Sequence, residues 1–242
     1  MARLVRADLE ALLRTRQLDV TLTTVRPWLE DGTGQPDRVI PTGLPAFDGR
    51  LGGGVPRGQV SAVAGAASSG RTSLVCALLA QVTAEGETAA LVDARDRFDP
   101  PSAAAAGIEF SRLLWIRGGP VASADSRQST LERQVNRAVK ALTLVLQAGP
   151  FGLAVLDLAD VPEPAVRALP FTTWLRLGRL VEGTRTACVV VGTRPIARSA
   201  GGLTITLESG REVSAWSGTS DRTRLFRGLC PALRQVGARR AS

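Results

Sequence analysis

Short runs that are apolar throughout alternate along this chain with stretches of helical period. "QVSAVAG" (59–65), "TAALVD" (88–93), "LLWIR" (113–117), "FGLAVLD" (151–157) and "ACVVVG" (187–192) lack the in–out alternation of a strand that faces water on one side. They read as strands buried on both faces. Between them, "RTSLVCALLAQVTAEG" predicts an apolar helix and residues 101–106 a short alanine-rich one. A long amphipathic helix is expected from about Ser129 to Ala148, with Leu131, Val135, Ala138, Leu142 and Val145 on one face, and "TWLRLGRLVEG" (173–183) predicts another. Buried strands separated by helices imply an α/β fold whose mostly parallel sheet is covered by helices on both faces. "LTITLES" and "REVSAW" predict a terminal hairpin turning at Ser209 and Gly210.

The two ends differ from this core. Residues 3–16 predict a helix with Val5, Leu9, Leu12 and Leu13 on one stripe, followed by a short strand in "DVTLTTV" (19–25) and a polar linker at 30–38. The expected division is an N-terminal interaction element (1–29), a linker (30–38), the core (39–218) and a basic C-terminal tail (219–242). The N-terminal stripe either packs on its own core or docks elsewhere, and the linker gives it the reach to dock.

Charge and composition remove most chemistry. There is no histidine, which excludes Ser-His and Cys-His nucleophilic pairs and most zinc sites. Cys76, Cys188 and Cys230 are scattered, which suits buried thiols in a reducing compartment and no disulfide framework. No apolar run nears the ~18 residues of a membrane span, and the start carries Asp8 and Glu10 within its apolar stretch, so a cytoplasmic location is expected. Arginine supplies every positive side chain except Lys140 and leaves a net charge of +8. Arg222, Arg224, Arg227, Arg234, Arg239 and Arg240 lie in a C-terminal stretch without acids. That stretch reads as either a phosphate-binding element or a solvated face. Of the tryptophans, Trp115 is expected in the core, and Trp174, near Arg176 and Arg179, is the candidate for stacking on bases.

One motif ties the core to a chemistry. "GAASSGRTSL" (65–74) would complete the phosphate-loop pattern G-x-x-x-x-G-K-[ST] if residue 71 were lysine; it is Arg71. A strand feeding a glycine loop that opens a helix aims backbone N–H groups at an anion. Gly65, Ser68, Ser69, Gly70, Arg71 and Thr72 are therefore candidate nucleotide-site residues. Thr72 holds the place of the metal-binding hydroxyl, and Asp157, closing an apolar strand, that of the metal-side acid. The alternative is that the glycines serve the turn and that Asp157 caps its strand.

The series "IPTGLPAFDGRLGGGVPRGQVSAVAGAASSGRTSL", "LVDARDRFDP", "LAVLD" and "CVVVGTRP" resembles the RecA recombinase family in order and spacing, over residues 38–215. The resemblance implies a RecA-like core, and three positions depart from it. Arg71 replaces the loop lysine, Arg95 stands where the resemblance implies a catalytic glutamate, and Thr193 stands near where it implies a phosphate-sensing glutamine. Asp96 sits one place beyond the missing glutamate and, one residue displaced, points elsewhere. A guanidinium fork is a poor substitute for a compact ammonium in such a loop. The family's DNA-facing loops are shortened here; Arg167, Arg176, Arg179 and Arg198 match that side. With these losses the chain is similar to the ImuA family, degenerate RecA relatives that serve mutagenic translesion synthesis. That resemblance implies a non-catalytic adaptor of the DNA-damage response, without ATP or magnesium as cofactor. The implied partners are an ImuB-like inactive Y-family polymerase homologue, RecA recombinase, and DNA through the tail. Val5, Leu9, Leu12 and Leu13 would form the protein contact. The competing reading is a divergent RecA-superfamily ATPase.

Overall fold

The computed structural model describes residues 38–119, 128–196, 202–208, 214–217, 225–229 and 232–238. The expected N-terminal helix, with Val5, Leu9, Leu12 and Leu13, lies outside the described residues, as do Arg198, Arg222, Arg224, Arg239 and Arg240.

A first antiparallel pair, β1 (Val39–Ile40) with β2 (Val55–Pro56), closes around the short helix α1 (Pro45–Leu51). The central sheet follows. β3 (Val60–Gly65), β4 (Ala89–Asp93), β5 (Leu113–Arg117), β6 (Leu153–Asp157), β7 (Ala187–Gly192) and β8 (Leu203–Glu208) run parallel. With the antiparallel β11 (Ala232–Ala238) they make seven strands in the order β11-β8-β3-β7-β6-β4-β5. Every residue of β3, β4 and β7 is buried, which explains why these segments read as unbroken apolar runs.

Helices cover both faces. On one, α2 (Arg71–Ala84) sets Leu74, Leu78, Leu79 and Val82 against Leu51, Val63, Leu91 and Val189, beside the short α3 (Pro100–Ala105). On the other, α4 (Gln128–Ala148), α5 (Glu163–Arg167) and α6 (Phe171–Val181) bring Val135, Leu142, Val166, Trp174, Leu177 and Val181 onto Ala62, Val92, Leu156 and Val190. The architecture is the expected α/β one, with a mostly parallel sheet between helical layers. Cys76 and Cys188 are buried free thiols, and burial pushes the Cys188 thiol up to about 12. No described helix is long and apolar enough to cross a membrane.

Three expectations are corrected. The hairpin expected from "LTITLES" and "REVSAW" does not form, because β8 is flanked by β3 and β11 and has no edge left to offer. β9 (Ser214–Ser217) pairs instead with β10 (Leu225–Leu229) in a separate antiparallel sheet. The segment expected as a basic tail beyond residue 218 therefore contributes two strands, with Arg227 on β10 and Arg234 on β11, and β11 is part of the main sheet. Finally, the expectation for Trp174 fails, and Trp115 packs against the core only from its margin. Trp174 is 5% exposed within the core and is closed to stacking on bases. Trp115 lies on the edge strand β5, half-buried, with the Arg117 guanidinium 4.7 Å above its ring.

Candidate functional site

Parallel strands place all their C-terminal ends along one rim of the sheet, and the loops leaving β3, β4, β6 and β7 meet there. Gly65 ends β3 where a Cβ would press on the Ser69 hydroxyl and on the Leu207 carbonyl of β8. The loop then turns through two left-handed residues, Ser68 (φ 59) and Gly70 (φ 90), before α2 begins at Arg71. Left-handed turns of this sort rotate successive N–H groups toward one concavity, which suits an anion. Ser69 is 0% exposed and its Oγ has no hydrogen-bond partner; Thr72 is exposed on the first turn of α2. Arg71 is 7% exposed and its Nη1 also lacks a partner.

Asp93 and Asp157 lie side by side at the ends of β4 and β6, paired in register. Each organises the loop behind it. Asp93 accepts N–H bonds from Arg95 (3.2 Å) and Phe98 (2.8 Å), and Asp157 accepts one from Ala159 (2.8 Å). Asp157 thus caps its strand end, as one of the two readings expected. Burial pushes its carboxyl up to about 6, with Asp93 and Asp160 adding to the rise, against the Ala159 N–H and Arg71, which draw it down. Arg95, Arg97 and Asp160 line the same cleft, and the Nη1 of Arg95 is buried without a partner.

Asp96 cannot serve the cleft. It sits in the left-handed region (φ 54), and both its oxygens take bonds from Arg117, at 2.7 and 2.8 Å. Arg117 in turn covers Trp115, which meets Phe98 edge-on at 5.2 Å. The ring of contacts from Asp93 through Phe98, Trp115, Arg117 and Asp96 fixes the loop that carries Arg95. Sequence reasoning missed Asp93 and Arg117, although the aspartate ending "LVD" had the same position as the one ending "VLD".

The remaining candidates do not converge. Arg167 pairs with Glu163 at 2.5 Å, and Glu163 also holds Arg194 at 3.5 Å. Arg176 and Arg179 are exposed on α6, and Thr193 is exposed after β7.

The cleft mixes charges: Asp93, Asp157 and Asp160 line it with Arg95 and Arg97, and Arg71 lies near enough to Asp157 to draw its carboxyl down. Among the described residues no group of three acids or thiols is placed to hold a metal ion, so a magnesium nucleotide finds a poor fit here.

The charge on Asp157 yields a pH prediction. A carboxyl whose pKa is higher folded than unfolded destabilises the native state when ionised. The penalty is complete above about pH 6, fades as pH falls, and is gone below the unfolded value of 3.8. Asp157→Asn should therefore raise the unfolding free energy by about 2–3 kcal/mol at pH 7.5 and leave it unchanged near pH 3.5. Urea midpoints at the two pH values measure this; an equal gain at both would show that charge is not the cause.

Residues 29–132 match the model of the RecA N-terminal domain. Protein RecA from a Nostoc species is 38% identical over 104 residues, which are 43% of this chain and 28% of that protein. Protein RecA of Saccharopolyspora erythraea is 35% identical over 130 residues, covering 53% of this chain and 34% of that protein. Protein RecA of Streptomyces coelicolor is 34% identical over 128 residues, covering 52% and 30%. The matched stretch spans about a third or less of the length of these curated relatives. These matches make the core RecA-like, in keeping with its α/β architecture.

Proposed function

We propose that this chain is a non-catalytic RecA-like accessory protein of the ImuA kind, acting in the cytoplasm in an SOS-type DNA-damage response and mutagenic translesion synthesis. Its partners in this reading are RecA recombinase and an ImuB-like inactive polymerase homologue, with DNA contacted through exposed arginines such as Arg176 and Arg179. One observation carries the reading. Arginines occupy both positions on which the resemblance makes hydrolysis depend, Arg71 buried at the lysine position and Arg95, its backbone N–H held by Asp93, at the glutamate position. Arginine stays protonated at any working pH, so Arg95 is no base for an attacking water. A core relieved of turnover keeps its surfaces for other chains.

A divergent ATPase is the second reading, favoured by the preserved turn at Ser68 and Gly70 and by the exposed Thr72. Partner capture tests the first. Burying Leu9, Leu12 and Leu13 would contribute about 1.5–3 kcal/mol each. Leu12→Asp with Leu13→Asp should therefore abolish capture of both purified partners while circular dichroism stays unchanged. Wild-type capture by the double variant removes the N-terminal stripe from the interface, and an unfolded variant shows that the stripe belongs to the core.

A further inference from the structure

Helix α6 carries more apolar surface than its own packing uses. Trp174, Leu177 and Val181 bury one side of it against the sheet and α4. On the side turned to solvent, Phe171 is 55% and Leu175 48% exposed, and no other described helix shows two large apolar side chains so open. They stand one turn apart, at i and i+4, and Gly178 continues their row at i+7. The glycine is costly where it stands, because inside a helix it loses more backbone freedom than alanine would. A left-handed turn or a close neighbour would offset that cost. Gly178 has neither: its backbone is helical, and a Cβ there would meet no described atom within 4 Å. The fold thus leaves an open notch beside Leu175. Charge of one sign flanks the row. Arg176 and Arg179 are exposed with no ion-pair partner among the described residues, and α6 carries no acid, whereas Arg167 is held by Glu163.

We propose that this face of α6 docks an acidic amphipathic helix of a partner protein. Phe171 and Leu175 pack beside the partner's apolar ridge, and the notch at Gly178 lets the two helix backbones approach closely. Arg176 and Arg179 pair with carboxylates that border the ridge, and their planar forks take such groups two bonds at a time. A leucine and a notch suit a ridge of side chains. A single-stranded nucleic acid would instead stack its bases on successive aromatic rings, and α6 exposes only Phe171. The proposal therefore gives to protein the two arginines that the functional reading gives to DNA. It depends neither on the glycine loop nor on the N-terminal stripe, and it adds a second protein-binding face to the chain.

Fluorescence anisotropy with the full chain tests it. The probe is a labelled helical peptide whose leucine ridge is bordered by glutamates. Two control peptides carry lysine for every glutamate or serine for every leucine, and a single-stranded oligonucleotide is the fourth probe. The glutamate peptide should bind in the micromolar range, and each control peptide about tenfold more weakly or worse. Leu175→Asp, at an exposed position, should weaken the glutamate peptide's Kd by about tenfold or more. Arg176→Glu with Arg179→Glu should also weaken it and abolish its dependence on salt. Gly178→Ala should weaken it several-fold while raising Tm by about 2–4 °C. The proposal is overturned if the glutamate peptide does not bind, if the lysine or serine peptide binds as well, or if Leu175→Asp leaves Kd unchanged. A Tm lowered by Gly178→Ala overturns it too, since the glycine would then serve the chain's own fold. So does an oligonucleotide that binds more tightly than the glutamate peptide, is lost with the two arginines and is indifferent to Leu175→Asp, which assigns the face to nucleic acid. None of these outcomes bears on turnover or on capture through the N-terminal stripe, by which the adaptor reading is judged.

Discussion

Glu87→Ala is expected to lower the unfolding free energy by about 3–5 kcal/mol, a large share of the stability of an ordinary domain. Arg57 lies just before β3 with its side chain 6% exposed, and both its terminal nitrogens bond the Glu87 carboxylate, at 2.9 and 2.6 Å. Nη1 also donates to the Arg185 carbonyl at 3.0 Å and reaches that of Gly152 at 3.5 Å. Residues 57, 87, 152 and 185 each precede a central strand, so one guanidinium joins the lower ends of β3, β4, β6 and β7. Removing the carboxylate leaves that cation buried and half-satisfied, which costs far more than the pair gains over an apolar replacement. The urea midpoint measures the loss. A change below 1 kcal/mol would mean that water already serves Arg57.

Gly54→Ala should cost about 2–4 kcal/mol for a different reason. Gly54 has φ +145, a region that side-chain-bearing residues rarely adopt, and a Cβ there would overlap the carbonyl of Ile40 across the β1–β2 pair. Backbone strain alone accounts for about 1–3 kcal/mol, and Ile40, fully buried, cannot step aside. Gly53→Ala nearby is the control. It too has a positive φ, but its Cβ would meet only a Val39 methyl at 3.5 Å, so its cost should be smaller. Equal losses in the two variants would assign the effect to dihedral strain and not to the Ile40 contact.

These glycines also bear on what the sequence made legible. The lead-in "LGGGVPRG" carries a backbone requirement, and such requirements survive in residue identity. The same holds for Gly65 and Gly70, and for strands buried on both faces, whose apolar runs announced β3, β4, β6 and β7 close to their observed ends. Long-range pairing left no such mark. Nothing local in "ALRQVGA" says that β11 lies against β8, so a segment read by its charge as a tail is partly sheet. Edge position is equally silent, and "LLWIR" looked as central as its neighbours although β5 ends the sheet. Trp174 was misread for another reason. Its neighbours on the helix face are Leu177 and Val181, three and seven residues on, whereas Arg176 and Arg179 project elsewhere. The candidate loop was legible; the unpaired state of Ser69, Arg71 and Arg95 was not, because it depends on burial by residues far away in the chain.

Turnover separates a non-catalytic adaptor from an ATPase most directly. Loss of a general base alone typically costs about 10²–10⁴ in rate, and in the reading proposed above Arg95 stands at the base position and Arg71 at the lysine position. Phosphate release from ATP by the purified full chain, with magnesium and single-stranded DNA present, should equal the protein-free background and be unaffected by Thr72→Ala. Release above background that Thr72→Ala abolishes would contradict the non-catalytic role and make the chain an ATPase.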